Sequence, residues 1–297
     1  MCTVCGCGAS NNGPTPATTG ADAGAPGRPH DHHRKNHVHD REWHDHPHGH
    51  AHVHERTAVQ GVGGDGAERL VRVERDILAD NDRLAARNRA FFLERRVLGL
   101  NLMSGPGAGK TTLLVRTIED LRGAAPISVI EGDQETSFDA ERVRSAGVRA
   151  VQINTGRGCH LDARMVGDAL LSLAPNQRSV VFIENVGNLV CPAAFDLGEA
   201  ARVVLLSVTE GDDKPLKYAN MFAAAQLMLV TKIDLLPFVP FDLQRCSAFA
   251  QRLNPEIEIM PVSATSGDGM DRWYAWIARR HADMGRSRTI EIGAVGE

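Results

Sequence analysis

A chain of 297 residues, 42% hydrophobic and 24% charged, has room for one large globular domain or two small ones. A formal net charge of -4 with no basic stripe argues against a nucleic-acid partner, and no apolar run reaches the roughly 18 residues of a membrane span. The N-terminus shows neither the basic nor the apolar region of a secretory signal, so the expected compartment is the cytoplasm.

The chain opens MCTVCGCG, with Cys2, Cys5 and Cys7 far from any core-forming stretch. In a reducing compartment such crowding indicates metal binding rather than disulfides. With the α-amino group as a fourth donor, these thiolates form a flexible set able to adopt the square-planar arrangement Ni²⁺ favours. From Ser10 to about Gly66 the sequence is poor in large apolar residues, too poor to offset its conformational entropy, and reads as disordered. Within it, His30, His32, His33, His37, His39, His44, His46, His48, His50, His52 and His54 are eleven of the chain's thirteen histidines. Their interspersed spacing reads as a metal-binding tract. Residues 1–66 are thus expected to form a metal-binding disordered tail and 67–297 a folded domain.

That domain is expected to begin with an amphipathic helix over residues 68–95, with Leu70, Val73, Ile77, Leu84 and Phe91 at helical spacing. Seven apolar runs follow, alternating with helical segments: VLGLNLM, PISVIEG, VRAVQIN, SVVFIEN, RVVLLSV, LMLVTKID and EIEIMPVS. Near-continuous β-branched runs are strands covered on both faces. The pattern predicts an α/β fold, a mostly parallel sheet flanked by helices, and the glycine-rich SGPGAGKTT after the first strand makes it a P-loop NTPase fold.

Between the first strand and the next helix lies SGPGAGKTT. Gly105, Gly107, Ala108 and Gly109 let the backbone N–H groups curl around a phosphate. Lys110 reaches the β/γ-phosphates, Thr111 is placed for Mg²⁺, and Thr112 continues the helix whose positive end adds to the site. Ser104 stands where the Walker A pattern has its first glycine. Asp133 and Glu184 follow strands whose ends face the ligand crevice, and both are candidates to organise Mg²⁺, directly or through water. No water-positioning residue stands out, which predicts slow turnover.

TKID, with Lys232 and Asp234, resembles the guanine-reading signature of GTPases. The carboxylate accepts from guanine N1–H and N2–H₂, a donor pair adenine lacks, so the pattern selects GTP over ATP. Thr231 replaces the commoner Asn. Ser263 and Ala264 sit in PVSATSG, which resembles the loop that meets the guanine carbonyl. Cys159 with His160, and Cys191, each follow a predicted strand, and their soft donors suit Zn²⁺ or Ni²⁺. Three ligands are one short of a closed tetrahedral site, leaving the fourth to water or to ligands shared across a dimer. Cys246, alone in a helical pattern, reads as a small buried hydrophobe.

Together, CTVCGCG, ERDILADNDRLAARNR, SGPGAGKTTLL, EGDQETSFDAERV, NTGRGCHLDA, ENVGNLVCPA and TKIDLLP resemble the HypB family, nickel-inserting GTPases of NiFe-hydrogenase maturation. The resemblance spans the N-terminal motif, the histidine tract and the chain from about residue 68 onward. It implies a tight Ni²⁺ site at Cys2, Cys5 and Cys7. It implies a second metal site at Cys159, His160 and Cys191, at the interface of a GTP-dependent homodimer. It also implies a zinc-containing partner resembling HypA and delivery to the hydrogenase large-subunit precursor. Two neighbouring readings are a nickel-storage protein and a UreG-like urease GTPase. The latter carries Cys-Pro-His, whereas Cys191-Pro192 is followed here by Ala193.

Overall fold

The computed structural model describes residues 64–133 and 138–286. The expected thiolate motif at Cys2, Cys5 and Cys7 and the histidine tract lie outside the described residues.

All seven apolar runs form strands: β1 (Leu98–Ser104), β2 (Ile127–Asp133), β3 (Arg149–Asn154), β4 (Val180–Glu184), β5 (Ala201–Ser207), β6 (Leu227–Thr231) and β7 (Glu258–Pro261). They make one sheet in the order β3-β2-β4-β1-β5-β6-β7, with every pair parallel. Between and around them lie α1 (Gly64–Arg95), α2 (Lys110–Asp120), α3 (Phe138–Ser145), α4 (Ala163–Leu173), α5 (Lys214–Lys217), α6 (Ala219–Ala223), α7 (Leu243–Leu253) and α8 (Met270–Arg286).

Strand alternation divides the core in two. Val203 and Leu205 join Phe182, Leu113, Trp273 and Trp276 on the face covered by α2 and α8. Val204 and Leu206 point the other way, into Phe222, Cys246 and Ala250 of α6 and α7. On that second face Val181 and Ile183 meet Phe92 of α1 and Val166 and Leu170 of α4. The buried indole N–H of Trp273 donates to Thr117 Oγ1 at 2.9 Å, so the aromatic is buried without an orphaned donor. Cys246 is fully buried, and burial pushes its thiol up to about 12, as expected of an inert core cysteine.

The first helix corrects the sequence expectation. Val73 and Ile77 are exposed, and Leu84 and Phe91 are half-buried. The buried stripe is instead Asn81, Ala85, Asn88 and Phe92. Asn81 donates to Asp196 O at 2.8 Å and accepts from Ala163 N–H at 2.9 Å. Asn88 donates to Ala163 O at 2.7 Å and Leu197 O at 3.0 Å. Apolar periodicity misses such a face, because the helix docks onto loop ends whose backbone groups need polar partners.

Parallel strands put the loops that carry chemistry on one rim. The β1–α2 turn, the ends of β2 and β4 and the loop after β6 all open there. This is the carboxyl-end crevice of an open α/β sheet.

Candidate functional site

The turn Gly105–Gly109 caps α2 with backbone rather than side chain. Gly107 and Gly109 hold φ of 75° and 95°, left-handed conformations that favour glycine. A Cβ at Gly105 would sit 2.8 Å from Glu210 Oε2 and would push that carboxylate aside. Lys110 is buried, and its Nζ donates to Ser104 Oγ at 2.8 Å, while that hydroxyl donates to Gly105 O at 2.6 Å. The residue that departs from the Walker A pattern therefore seats the lysine. Burial pulls the Lys110 pKa down against the pull of Glu184 and other nearby acids.

Thr111 Oγ1 donates to Glu184 Oε1 at 2.7 Å. Glu184 and Glu131 are register partners on β4 and β2, both buried, and each has an Oε2 with no hydrogen-bond partner among the described residues. Burial pushes Glu184 up to about 7 and Glu131 up to about 8, the latter with Glu184 adding to the effect. Lys110, Thr111, Thr112, Gly107, Gly109, Glu131, Asp133, Asp139, Arg142, Glu184, Asn185 and Lys232 line one cavity of about 410 Å³. Orphaned buried carboxylate oxygens beside a threonine hydroxyl fit a hard cation that takes oxygen ligands.

A second cavity of about 210 Å³ adjoins it, sharing Gly109, Thr112 and Lys232, and is lined by Ala108, Thr231, Asp234, Ser263 and Ala264. Asp234 Oδ1 accepts from Ser263 Oγ at 2.6 Å, which orients the carboxylate. Thr231 Oγ1 donates to Ala108 O at 2.7 Å and Lys232 Nζ to Gly107 O at 2.7 Å. The unusual threonine thus ties the base-side loop to the phosphate loop. Lys232 itself is left-handed, with φ of 60°. The two cavities give an elongated ligand a cationic end at Lys110 and an acidic end at Asp234.

Cys159, His160 and Cys191 converge. Cys159 Sγ lies 2.7 Å from Cys191 Sγ and 3.7 Å from His160 Nδ1, and one ligand atom from each falls within 4.8 Å of the others. His160 stacks on Phe195 with ring centroids 3.9 Å apart. Burial holds its pKa below the ordinary value, keeping the imidazole in the neutral form that binds metal. Asn188 Oδ1 accepts from Val190 N–H at 2.7 Å and Cys191 N–H at 3.3 Å, shaping the second loop. The first loop is tied to the phosphate rim by Thr155 N–H donating to Asp133 O at 2.9 Å.

A family model described as CobW/HypB/UreG, nucleotide-binding domain, matches residues 100–261. The hydrogenase maturation factor HypB of Escherichia coli K12 is 48% identical over 284 residues, covering 93% of this chain and 98% of its own. The chain belongs to the HypB family. HypB of Azotobacter vinelandii is 59% identical over 225 residues, 76% of this chain and 74% of that one. The crystal structure of HypB from Helicobacter pylori in complex with nickel superposes with a TM-score of 0.65 at 38% identity, covering 69% of this chain and 96% of that one.

Within the chain the structure adds residues that sequence reading passed over. Glu131 was hidden inside an apolar strand run, where a lone acid was itself the signal. Asp139 and Arg142 reach the phosphate cavity only because α3 folds back over it. Asn185 follows Glu184 and gives no sign in sequence of the bonds it makes.

Proposed function

We propose that this chain is a GTP-hydrolysing nickel chaperone of hydrogenase maturation, in which nucleotide state sets the geometry of a Cys159–His160–Cys191 metal site. The carrying observation is that Cys191 sits on the loop leaving β4, whose end lines the phosphate cavity, while the Cys159–His160 loop leaves the neighbouring β3 and is bonded through Thr155 N–H to Asp133 O at the cavity end of β2. In this reading Gly105, Gly107, Ala108 and Gly109 present N–H groups to the phosphates. Lys110, released from Ser104, pairs with the β/γ-oxygens. Asp234, pre-oriented by Ser263, accepts the guanine N1–H and N2–H₂, and Ala264 meets the guanine carbonyl through its backbone. Lys232 lies along the base. Thr111, Asp133 and Glu184, with Glu131 beside them, are the groups that would hold Mg²⁺, which when bound neutralises charge on the β- and γ-phosphates. Loss of the γ-phosphate then relaxes the ends of β2 and β4, and with them the loops after β3 and β4, and changes the spacing of the three metal ligands.

Nickel is the cargo, with Zn²⁺ a competing occupant of the internal cluster. The reading includes a cytoplasmic, GTP-dependent homodimer that works with a HypA-like protein and delivers to the hydrogenase large-subunit precursor. Two measurements test it. GTP and ATP turnover are compared side by side, with GTP expected to be strongly preferred; a preference for ATP refutes the assignment. Ni²⁺ titration of the full chain and of Cys159→Ala is expected to differ by one class of site. Identical isotherms would remove the cluster from nickel binding.

A further inference from the structure

Asn185 occupies the junction between the two sites. It is almost fully buried, lines the phosphate cavity, and follows Glu184, whose carboxylate receives the Thr111 hydroxyl. Its Oδ1 accepts from Leu161 N–H at 3.1 Å and from Val186 N–H at 3.0 Å. Leu161 is the residue after the metal ligand His160, and Val186 opens the loop to Cys191. One side-chain oxygen therefore holds the end of the Cys159–His160 segment and the start of the segment leading to Cys191.

The amide itself is held firmly. Asn185 Nδ2 donates to Asn101 Oδ1 at 3.3 Å, and its backbone N–H donates to Leu102 O at 3.0 Å. Asn101 Nδ2 donates in turn to Glu199 Oε1 at 3.1 Å, and Glu199 is fixed by Arg202 Nε at 2.7 Å. A buried network in which each of these side-chain nitrogens and oxygens has a partner is stiff. Packing reinforces the junction. A Cβ on Gly132, between Glu131 and Asp133, would meet the Leu161 side chain at 2.8 Å, and one on Gly187 would meet Pro106 Cα at 3.2 Å. Both metal-bearing loops thus pack directly against the phosphate rim, which gives a shift at the rim a path to them.

We infer that Asn185 is the positioning residue that carries nucleotide state to the Cys159–His160–Cys191 cluster, through the N–H of Leu161 and of Val186. This rests on the nucleotide gating proposed above.

The test uses the full chain with Cys2, Cys5 and Cys7 changed to Ala, so that the nickel–thiolate charge-transfer band reports the internal cysteines. Ni²⁺ affinity is measured with saturating GDP and with a saturating non-hydrolysable GTP analogue. The parent ratio is expected to be about fivefold or more, the lower end of ordinary allosteric coupling. Asn185→Ala, which loses both acceptor bonds, should bring the ratio to within about twofold of unity, whereas Asn185→Asp, which keeps both acceptor bonds and gives up only the donation to Asn101, should retain it. A parent ratio of one sinks the gating reading and this inference with it. A coupled parent whose coupling survives Asn185→Ala overturns the inference alone. Should Asn185→Ala lose its cooperative melt, hydrogen exchange on the parent decides. Protection of the Leu161 amide must change about fivefold between the nucleotide states, and equal protection overturns the assignment.

Discussion

The phosphate cavity shows how single side chains set chemistry by their surroundings. Ser104 departs from the motif yet supplies the acceptor that seats Lys110. Thr231 departs from the guanine signature yet bonds the phosphate loop. Asp234 is the residue most directly tied to base choice. Asp234→Ala is expected to cut GDP affinity about 10³-fold or more, since a site built on a paired donor set leaves those donors unmet; a fluorescent GDP analogue measures it. Glu131 and Glu184 make a pH prediction. Both are held above the ordinary carboxylate range, from 4.5 to about 8 for Glu131 and to about 7 for Glu184. Across that window the native state binds more protons than the unfolded chain, so their contribution to stability is complete below pH 4.5 and is lost as pH rises to about 8. Glu131→Gln removes its share of the loss. Its nucleotide-free melting temperature should exceed the parent's by roughly 2–4 °C or more at pH 8 and match it near pH 4.5. A variant that tracks the parent at both pH values would take this carboxyl out of the proton balance.

Among the elements, α1 is held differently from the rest. The strands and α2, α4 and α8 are fastened by apolar burial, which hydrophobic pattern reveals. The C-terminal half of α1 is fastened by Asn81 and Asn88 and by close approach at Gly198. That glycine has φ of 85°, and a Cβ on it would come within 2.8 Å of Arg89 N and closer still to Ala85 O. Asn88→Ala strips two backbone carbonyls of buried partners and should cost about 2–4 kcal/mol, read from the urea midpoint. Gly198→Ala should cost at least as much, because the strain and the clash act together. If either variant matched the parent midpoint, α1 would not be docked by this seam.

At the scale of the whole molecule, the proposal places two kinds of nickel site in one chain: a packed one on the nucleotide rim and a thiolate motif at the N-terminus. They should separate in titration. Changing Cys2, Cys5 and Cys7 to Ala should remove one class and leave the Cys159 class, and acetylating the α-amino group should weaken the first class only. Both classes should weaken as pH falls, since thiolates must be deprotonated to bind. Ni²⁺ affinity unchanged by acetylation would exclude the amine as a ligand.

Strand runs, the glycine-rich turn, TKID and the paired Cys–His segments were legible because each is written in contiguous residues. Spacing along the chain carries both their period and their chemistry. The seven strands and the line of residues from Gly105 to Ala264 follow from that alone. Other features needed the fold. Glu131 meets Glu184 because β2 lies next to β4 in the sheet order. Cys159 meets Cys191 across 32 residues of chain. Asn185 reaches Leu161 and Asn101 at once. The buried stripe of α1 is half polar because Asn81 and Asn88 meet backbone groups of loop ends, while Ala85 and Phe92 are packed in the core. Local order comes from neighbours in sequence, which residue types report directly. Which distant groups share a buried site is decided by strand order and register, and those appear only when the sheet is assembled.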